Sequence, residues 1–255
     1  MSEDESVRPE HATPPTPEAA PLLVQARGLE MAGRESMVFG PLDFDIPQGN
    51  IGVLTGQQGS GRSALLLALS GRLKGVKGHL VINGEDAMAK TRQLRKHISV
   101  GRISGLAELE PNLTVGESRD ERAIADGLGQ RKGRDRFRLL EEVLGHYFQL
   151  DQWVDHMPAV ERTLLTVVLG SLVPSTHVVI DDLDDSLTAE QLAFIYDAML
   201  AIQQADGRDF IVSALDQNAI PANATCVHLA SPAPRTPPDL LPSSIIRRNA
   251  NREAN

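Results

Sequence analysis

The chain has 255 residues and a formal net charge of −9. This acidic balance argues against a protein whose main partner is nucleic acid, so no nucleic-acid partner is expected. The single cysteine, Cys226, excludes an intramolecular disulfide and fits a reducing compartment. This length is enough for one α/β domain with a lobe, or for two small domains. A hydrophobic content of 41% allows a sizeable core, which must be aliphatic because only 4% of residues are aromatic.

The two ends of the chain differ in composition from its middle. Residues 1–21 are acidic and rich in proline, and residues 231–255 combine proline with a polar end, so both are predicted to be disordered tails. The first residues do not form a basic region followed by an apolar one, and the apolar runs fall short of the ~18–20 residues that cross a membrane. We therefore expect a cytoplasmic protein whose globular part covers about residues 22–230.

Strand and helix patterns alternate along this globular part. Strands are predicted over 24–29, 40–46, 51–54, 79–82, 97–100, 177–180, 209–213 and 225–229, and helices over 61–72, 158–172 and 188–205. Thr188 and Gln191 have the spacing of a capping box, and Gly207 follows the last helix. This alternation predicts an α/β fold with a parallel sheet covered on both faces.

A helical lobe is predicted at about 116–156, because apolar residues recur there at helical spacing after a charged stretch. Three aromatic residues near its end, Tyr147, Phe148 and Trp153, fit either a partner-facing surface or the lobe core, and the core is the favoured interpretation. A basic run at 90–96 is interpreted as a solvated face rather than a docking surface.

The most informative stretch is 51–69, where an apolar run, a glycine-rich loop and an apolar helix start follow one another. The loop fits the pattern G-x-x-x-x-G-K-[ST], except that Arg62 stands where lysine is usual. Glycines let successive backbone N–H groups point at an anion, and the helix start adds its partial positive charge. The alternative is a plain Gly/Ser turn. The predicted phosphate site consists of Gly56, Gln57, Gln58, Gly59, Ser60, Gly61, Arg62, Ser63 and Ala64.

A pair of acids follows the apolar strand predicted at 177–180. Asp181 is predicted to bind Mg²⁺ opposite the hydroxyl of Ser63, because an apolar strand that ends in acids is where a phosphate-loop protein holds its metal. Asp182 is the candidate catalytic residue, which would orient or deprotonate an attacking water. The alternative is a strand that simply runs into an acidic loop. The glycine-rich loop and the two acids both follow strands, and ligands of parallel sheets bind at the carboxyl ends of strands. The loop and the acids can therefore meet at one site.

In their order along the chain, these segments resemble the ATP-binding cassette (ABC) ATPases. PLDFDIPQGN, TGQQGSGRSALL, GHLVING, EPNLTVGES and VVIDDLDDSLT follow one another as the family's motifs do. The resemblance covers about residues 22–230 and implies a P-loop NTPase with an ABC-type core: a mainly parallel sheet, N-terminal antiparallel strands and a helical lobe. The arginine in the loop is similar to that of small actinobacterial-type cassettes thought to work beside membrane proteins.

The same resemblance implies a function and partners. It implies a subunit that binds ATP and Mg²⁺, pairs with a second cassette as a homodimer or heterodimer, and works peripherally at the inner face of the cell membrane. It further implies an integral membrane permease-like protein as the partner that the cassette drives.

Several positions depart from the family pattern and predict weakened ATP hydrolysis. The signature motif falls at 157–161, where MPAVE contains neither the glycines nor the serine. The switch histidine would fall at 214–216, with Leu215 as the best alignment, and the Q-loop glutamine and the adenine-stacking aromatic near 31–34 have no counterpart. Three functions stay open: an ABC engine subunit, a non-hydrolysing nucleotide-sensing module on a membrane partner, and a soluble P-loop enzyme outside transport.

Overall fold

A computed structural model describes residues 21–34, 36–175, 177–215 and 219–231. Both predicted tails lie outside these residues except for their inner ends at 21 and 231. The strands are β1 (Leu22–Ala32), β2 (Met37–Pro47), β3 (Ile51–Gly56), β4 (Lys77–Ile82), β5 (Glu85–Asp86), β6 (Ile98–Arg102), β7 (His177–Ile180), β8 (Asp209–Ser213) and β9 (Thr225–Leu229). The helices are α1 (Arg62–Leu69), α2 (Thr91–His97), α3 (Val115–Ala125), α4 (Gln130–Leu144), α5 (Ala159–Gly170) and α6 (Ala189–Asp206), with a 3-10 helix at Val154–His156.

The strands form two sheets. Four antiparallel strands follow the order β2-β1-β4-β5, and five strands follow the order β6-β7-β8-β3-β9. Every pair in the second sheet is parallel, which confirms the predicted parallel sheet. Each residue of β3, β7 and β8 is buried, as expected when both faces of a sheet are covered.

The core consists of two apolar clusters, one on each face of the parallel sheet. Val53 belongs to the cluster beneath α4, α5 and α6, whereas its neighbour Leu54 belongs to the cluster that also contains α1 and the antiparallel strands. In β7, Val178 and Val179 divide in the same way. Successive side chains point to opposite faces of a strand, so the continuous apolar runs noted in the sequence supply both clusters at once.

Two capping boxes fix the starts of helices. The Thr188 hydroxyl accepts the Gln191 N–H at 3.2 Å while the Gln191 side chain accepts the Thr188 N–H at 3.0 Å, which confirms the predicted start of α6. Gly207 ends this helix in the left-handed conformation, as predicted. A second box, formed by Thr114 and Glu117, starts α3 and was not predicted.

The aromatic residues after α4 divide between core and surface. Phe148 is buried and packs near Phe137, with ring centroids 5.7 Å apart. Tyr147 and Trp153 are 66% and 48% exposed, so the favoured core interpretation is wrong for both. The physical reason is local: the Glu141 carboxylate accepts the Phe148 N–H at 2.9 Å, which turns Phe148 inward and leaves its neighbour outside.

The basic run at 90–96 forms most of α2, a helix that was not predicted. None of its side chains is buried, which agrees with the interpretation as a solvated face. A helix without a buried stripe has no apolar periodicity by which a sequence could reveal it. The following strand begins at Ile98, one residue later than predicted. Within the described ranges, no helix is both long enough and apolar enough to cross a membrane.

Candidate functional site

The glycine-rich loop and the paired acids lie at the same edge of the parallel sheet. The loop follows β3, the acids follow β7, and β8 lies between these two strands. Because all three strands are parallel, their carboxyl ends meet at one edge. The last residue of β8, Ser213, therefore stands between the two predicted elements, although no motif in the sequence points to it.

Two glycines of the loop occupy positions that no other residue fits. Gly56 has a φ of 148°, and a Cβ added to it would lie 2.5 Å from the Leu229 carbonyl oxygen. Gly61 has a φ of 93°, and its added Cβ would lie 2.2 Å from the Val38 carbonyl oxygen. The antiparallel sheet and β9 thus press directly on the loop, and glycine is what permits this close approach.

The loop exposes its tip and buries its flanks. Gln57, Gln58 and Gly59 are exposed, whereas Ser60 is 1% exposed and its Oγ has no hydrogen-bond partner within the described part of the chain. Gly61 is the N-cap of α1 and supplies no side-chain cap. The first turn also has no acidic residue, so its N–H groups and the positive end of the helix are available to an anion.

Arg62 turns its side chain from the loop toward the acids. Its guanidinium is only 7% exposed, and Nη2 donates to Asp182 Oδ1 at 3.3 Å. Nη1 is buried without a partner among the residues that the structure describes. A buried cation that keeps one terminal nitrogen unused is suited to bind a further oxyanion. The next two residues, Ser63 and Ala64, are half-buried in the first turn of α1.

Ser213 connects the two acids. Its Oγ donates to Asp181 Oδ1 at 2.5 Å and accepts the Asp182 N–H at 2.8 Å. Asp181 is 1% exposed, and its second oxygen, Oδ2, meets no hydrogen-bond donor of the described chain. The only trace of Ser213 in the sequence is a polar residue that directly follows the apolar run 210–212.

Asp182 carries backbone strain and an altered acidity. Its φ is 46°, in the left-handed region that few non-glycine residues adopt. Burial and the neighbouring charge of Asp181 raise the pKa of the Asp182 carboxyl, and the cations Arg62 and Arg102 offset part of this increase. Acids with a raised pKa and an unusual backbone conformation cluster at functional sites.

The arrangement fits a hard divalent cation. Asp181 Oδ2 is a buried carboxylate oxygen without a donor, and Ser63 follows the loop with a hydroxyl. The structure contains no group of three or more His, Cys, Asp or Glu residues that could hold a metal within its described ranges. Mg²⁺ does not need such a group, because it is usually held by one or two protein oxygens together with phosphate oxygens and water.

The segments that depart from the family pattern have their own contacts. Pro158 is the N-cap of α5 and provides no side-chain cap, and the Glu161 carboxylate meets His146 Nε2 at 3.0 Å. The Leu215 N–H donates to Asp184 Oδ2 at 2.7 Å, and Leu215 is 52% exposed. Residue 216, the end of the predicted switch segment, lies outside the described residues.

Comparison with known proteins agrees with this geometry. The family model described as ABC transporter matches residues 39–192. CcmA of Xanthomonas campestris pv. campestris (strain 8004), a cytochrome c biogenesis ATP-binding export protein, is 37% identical over 87 residues, which are 34% of this chain and 40% of the relative. This chain thus spans about two fifths of the length of the CcmA relatives that it matches.

Two further matches cover more of the chain. LolD 1 of Caulobacter vibrioides, a lipoprotein-releasing system ATP-binding protein, is 24% identical over 202 residues, covering 76% of this chain and 86% of the relative. The structure of cbiO1 from Clostridium perfringens, part of the ABC transporter complex cbiONQ, has a TM-score of 0.69 at 14% identity and covers 91% of this chain and 96% of its own, which shows the shared fold. Because the family model spans more than half of the chain, the protein belongs to the ABC transporter family of ATP-binding proteins.

Proposed function

We propose that the protein is the ATP-binding subunit of an ABC-type membrane transporter or related membrane complex and that it binds MgATP at the loop after β3. The observation that carries this proposal is one sheet edge that combines an uncapped helix start with a buried cation and a buried carboxylate oxygen without a donor. Each of these three features is satisfied by one part of MgATP: its phosphates or its metal ion.

Each predicted residue receives a role under this proposal. The backbone N–H groups from Gly56 to Ala64 bind the phosphate chain, and Arg62 Nη1 donates to a terminal phosphate oxygen. The Ser63 hydroxyl and Asp181 Oδ2 hold the metal, while Ser213 fixes the orientation of Asp181. Bound Mg²⁺ would neutralise charge on the β- and γ-phosphates.

The membrane partner and the second cassette belong to the same proposal. The relatives and the structural neighbour are named as ATP-binding proteins or parts of transport systems, which supports a permease-like partner and a site at the inner face of the cell membrane. A second cassette, identical or different, would complete the nucleotide site. The exposed Tyr147 and Trp153 of the lobe are available for such contacts.

A non-hydrolysing nucleotide sensor is the second candidate function. The observation that favours it is the ion pair between Arg62 and Asp182, which occupies the candidate catalytic carboxylate with a cation. The segment 157–161 adds to this, because Pro158 lacks an N–H and Val160 has a side chain where the family pattern has glycine. Under this alternative, nucleotide occupancy sets an assembly state without useful turnover.

Two measurements on the purified protein test these proposals. Calorimetric titration with ATP is expected to show saturable binding that is tighter with Mg²⁺ than without it, and an absence of binding would contradict both functions. Steady-state ATPase assays then separate them. Turnover that is lost in Asp182→Asn supports the engine, whereas binding without turnover supports the sensor. Turnover that does not change in Asp182→Asn would remove this residue from the catalytic role.

A further inference from the structure

A cavity of about 600 Å³ lies beside the edge strand β6, apart from the loop and the acids. Its walls come from Arg72 after α1, the end of α2 with the start of β6, the turn at 106–107, the end of α3, and residues 173–175 before β7. Neither the loop residues 56–64 nor the acids after β7 are among its described lining residues. The volume falls within the range of small-molecule sites, and the proposed nucleotide function does not use it.

Positive charge dominates the lining of this cavity. Four cationic side chains face one carboxylate, Asp126, in a protein whose net charge is −9. The four are Arg72, Arg95, Lys96 and Arg122. Asp126 forms an ion pair with Arg122. The other three cations form no ion pair with a carboxylate of the described residues. A concave surface of this charge attracts anions.

Short hydrogen bonds hold the arginines in place while leaving donors unused. Arg72 Nη1 donates to the Ser70 carbonyl at 3.0 Å, and Arg95 Nε donates to the Gly71 carbonyl at 2.6 Å. The remaining terminal nitrogens of these two arginines bind no described residue. The Ser175 Oγ is also buried in the wall without a partner from the described chain. The cavity thus offers several terminal arginine nitrogens that have no acceptor among the described residues.

The cations are close enough to oppose one another. Burial lowers the pKa of Arg72, and the neighbouring charges of Arg95 and Arg122 lower it further, with only Asp126 acting in the opposite direction. Like charges held close together are unfavourable until an anion joins them. A bound oxyanion would satisfy the unused donors and this charge at the same time.

We propose that this cavity binds a phosphate group, carried either by a small organic phosphate or by a lipid headgroup. Guanidinium groups match phosphate oxygens in a planar, two-bond geometry, and the cavity presents three of them. The rest of the wall includes Val100, Leu106 and Val173, which provides apolar surface for the organic part of the ligand. This assignment does not depend on nucleotide binding at the glycine-rich loop after β3.

Titration with glycerol 3-phosphate, followed by backbone amide NMR, tests the proposal. Saturable shifts are expected at the cavity residues Ser99 and Asp126, beyond any shifts at the loop residue Gly59. Lys96→Gln should weaken this binding by about fivefold to tenfold, because it removes one charge-assisted contact. Lys96 has no hydrogen bond within the described chain, so the variant should remain folded. Arg92→Gln, on the same helix but outside the cavity lining, is the matched control and should bind normally.

Vesicle sedimentation distinguishes the two sources of phosphate. Binding to phosphatidylglycerol vesicles, but not to phosphatidylcholine vesicles, that is weakened by Lys96→Gln would identify a lipid headgroup. Glycerol 3-phosphate binding without vesicle binding would identify a soluble phosphate. The proposal is overturned by shifts confined to Gly59 and its neighbours, or by equal losses in the Lys96 and Arg92 variants. Tighter binding of a polyglutamate peptide than of glycerol 3-phosphate would also overturn it, because the cavity would then serve an acidic protein segment.

Discussion

Arg62 Nη2 donates to Asp182 Oδ1 at 3.3 Å, so the cation of the glycine-rich loop and the second acid after β7 form an ion pair across the sheet edge. The two residues are 120 positions apart in the chain. The guanidinium is buried, whereas the Asp182 side chain is 36% exposed, so solvent screening limits the strength of the pair. A nucleotide phosphate arriving at the loop would therefore meet a cation that the protein has already positioned.

Two substitutions of Arg62 should show whether MgATP binding depends on the positive charge of this residue or on the shape of its guanidinium. Arg62→Lys keeps the positive charge and should retain MgATP binding within about threefold. Arg62→Ala removes a buried, charge-assisted donor and should weaken binding by at least about tenfold. Calorimetric titration of both variants and the native protein measures these differences, with melting curves as the control for folding. A native protein that does not bind MgATP, together with an Arg62→Lys variant that does, would show that the arginine blocks the site.

Asp182→Asn should make the nucleotide-free protein more stable near pH 7. The pKa of Asp182 is raised in the folded state, so its ionised form is disfavoured by folding. The protonated Asp182 therefore stabilises the folded state. This stabilisation is complete at pH values below its ordinary pKa of 3.8 and is lost as the pH rises through the raised pKa. Melting temperatures measured from pH 3.5 to pH 7 should therefore show a variant advantage that grows with pH. An advantage that does not change with pH would contradict this explanation.

Ser213→Ala should both destabilise the protein and disturb the proposed metal site. The variant leaves the buried Asp181 Oδ1 without its 2.5 Å donor and the Asp182 N–H without its acceptor. Buried polar groups left in this way cost about 1–3 kcal/mol each. Urea unfolding measures the loss, and titration with MgATP should show a weaker effect of Mg²⁺ than in the native protein. Ser104→Ala, in an exposed turn, is the matched control.

Two glycines of the same loop should tolerate alanine very differently. At Gly61 an added Cβ would lie 2.2 Å from the backbone oxygen of Val38, so Gly61→Ala should prevent normal folding or greatly lower soluble yield. At Gly59 no described atom lies within 4 Å of the added Cβ, so only the φ of 81° opposes the change. Gly59→Ala should then cost about 1 kcal/mol. Urea unfolding of both variants checks the difference, and similar values would contradict the close packing of β2 on the loop.

Asp206→Asn should loosen the contact between the lobe and the core. Asp206, at the end of α6, pairs with Arg136 of α4 and with the buried Arg208. Burial acts to raise the pKa of Asp206, but the hydrogen bonds and charges of the two arginines outweigh it and lower the pKa below 3.8. The variant should lose roughly 2 kcal/mol at pH 7, because the hydrogen bonds from the two arginines lose their charged acceptor.

The pH dependence and a control identify the cause of that loss. An acid whose pKa is lower in the folded state stabilises the fold at pH values above its ordinary pKa. This stabilisation is lost as the pH falls through the lowered pKa. The difference between native protein and Asp206→Asn should therefore shrink when unfolding is measured below pH 3.8. Asp197→Asn, an exposed position on the same helix, should change stability little at either pH. A loss that persists undiminished in acid would point to packing rather than charge.

The sequence by itself determined the parts of this protein that depend on short stretches of chain. The glycine spacing between 56 and 61, the apolar strand before Asp181 and the box at Thr188 each act through neighbours, so their structures could be predicted from order alone. The parallel sheet and the ABC-type fold followed from the succession of these segments. The binding and catalytic roles assigned to the loop and the acids stay predictions.

Only the tertiary structure decided what these segments meet. The placement of Ser213 between Asp181 and Asp182 depends on β8 lying between β3 and β7, an order that no local pattern encodes. The cationic cavity beside β6 likewise joins five separate segments of the chain. The exposure of Trp153 and the burial of Phe148 likewise could not be told apart from their apolar character alone. Residues distant along the chain become neighbours through strand order and packing, and these are set by the whole core rather than by any one stretch.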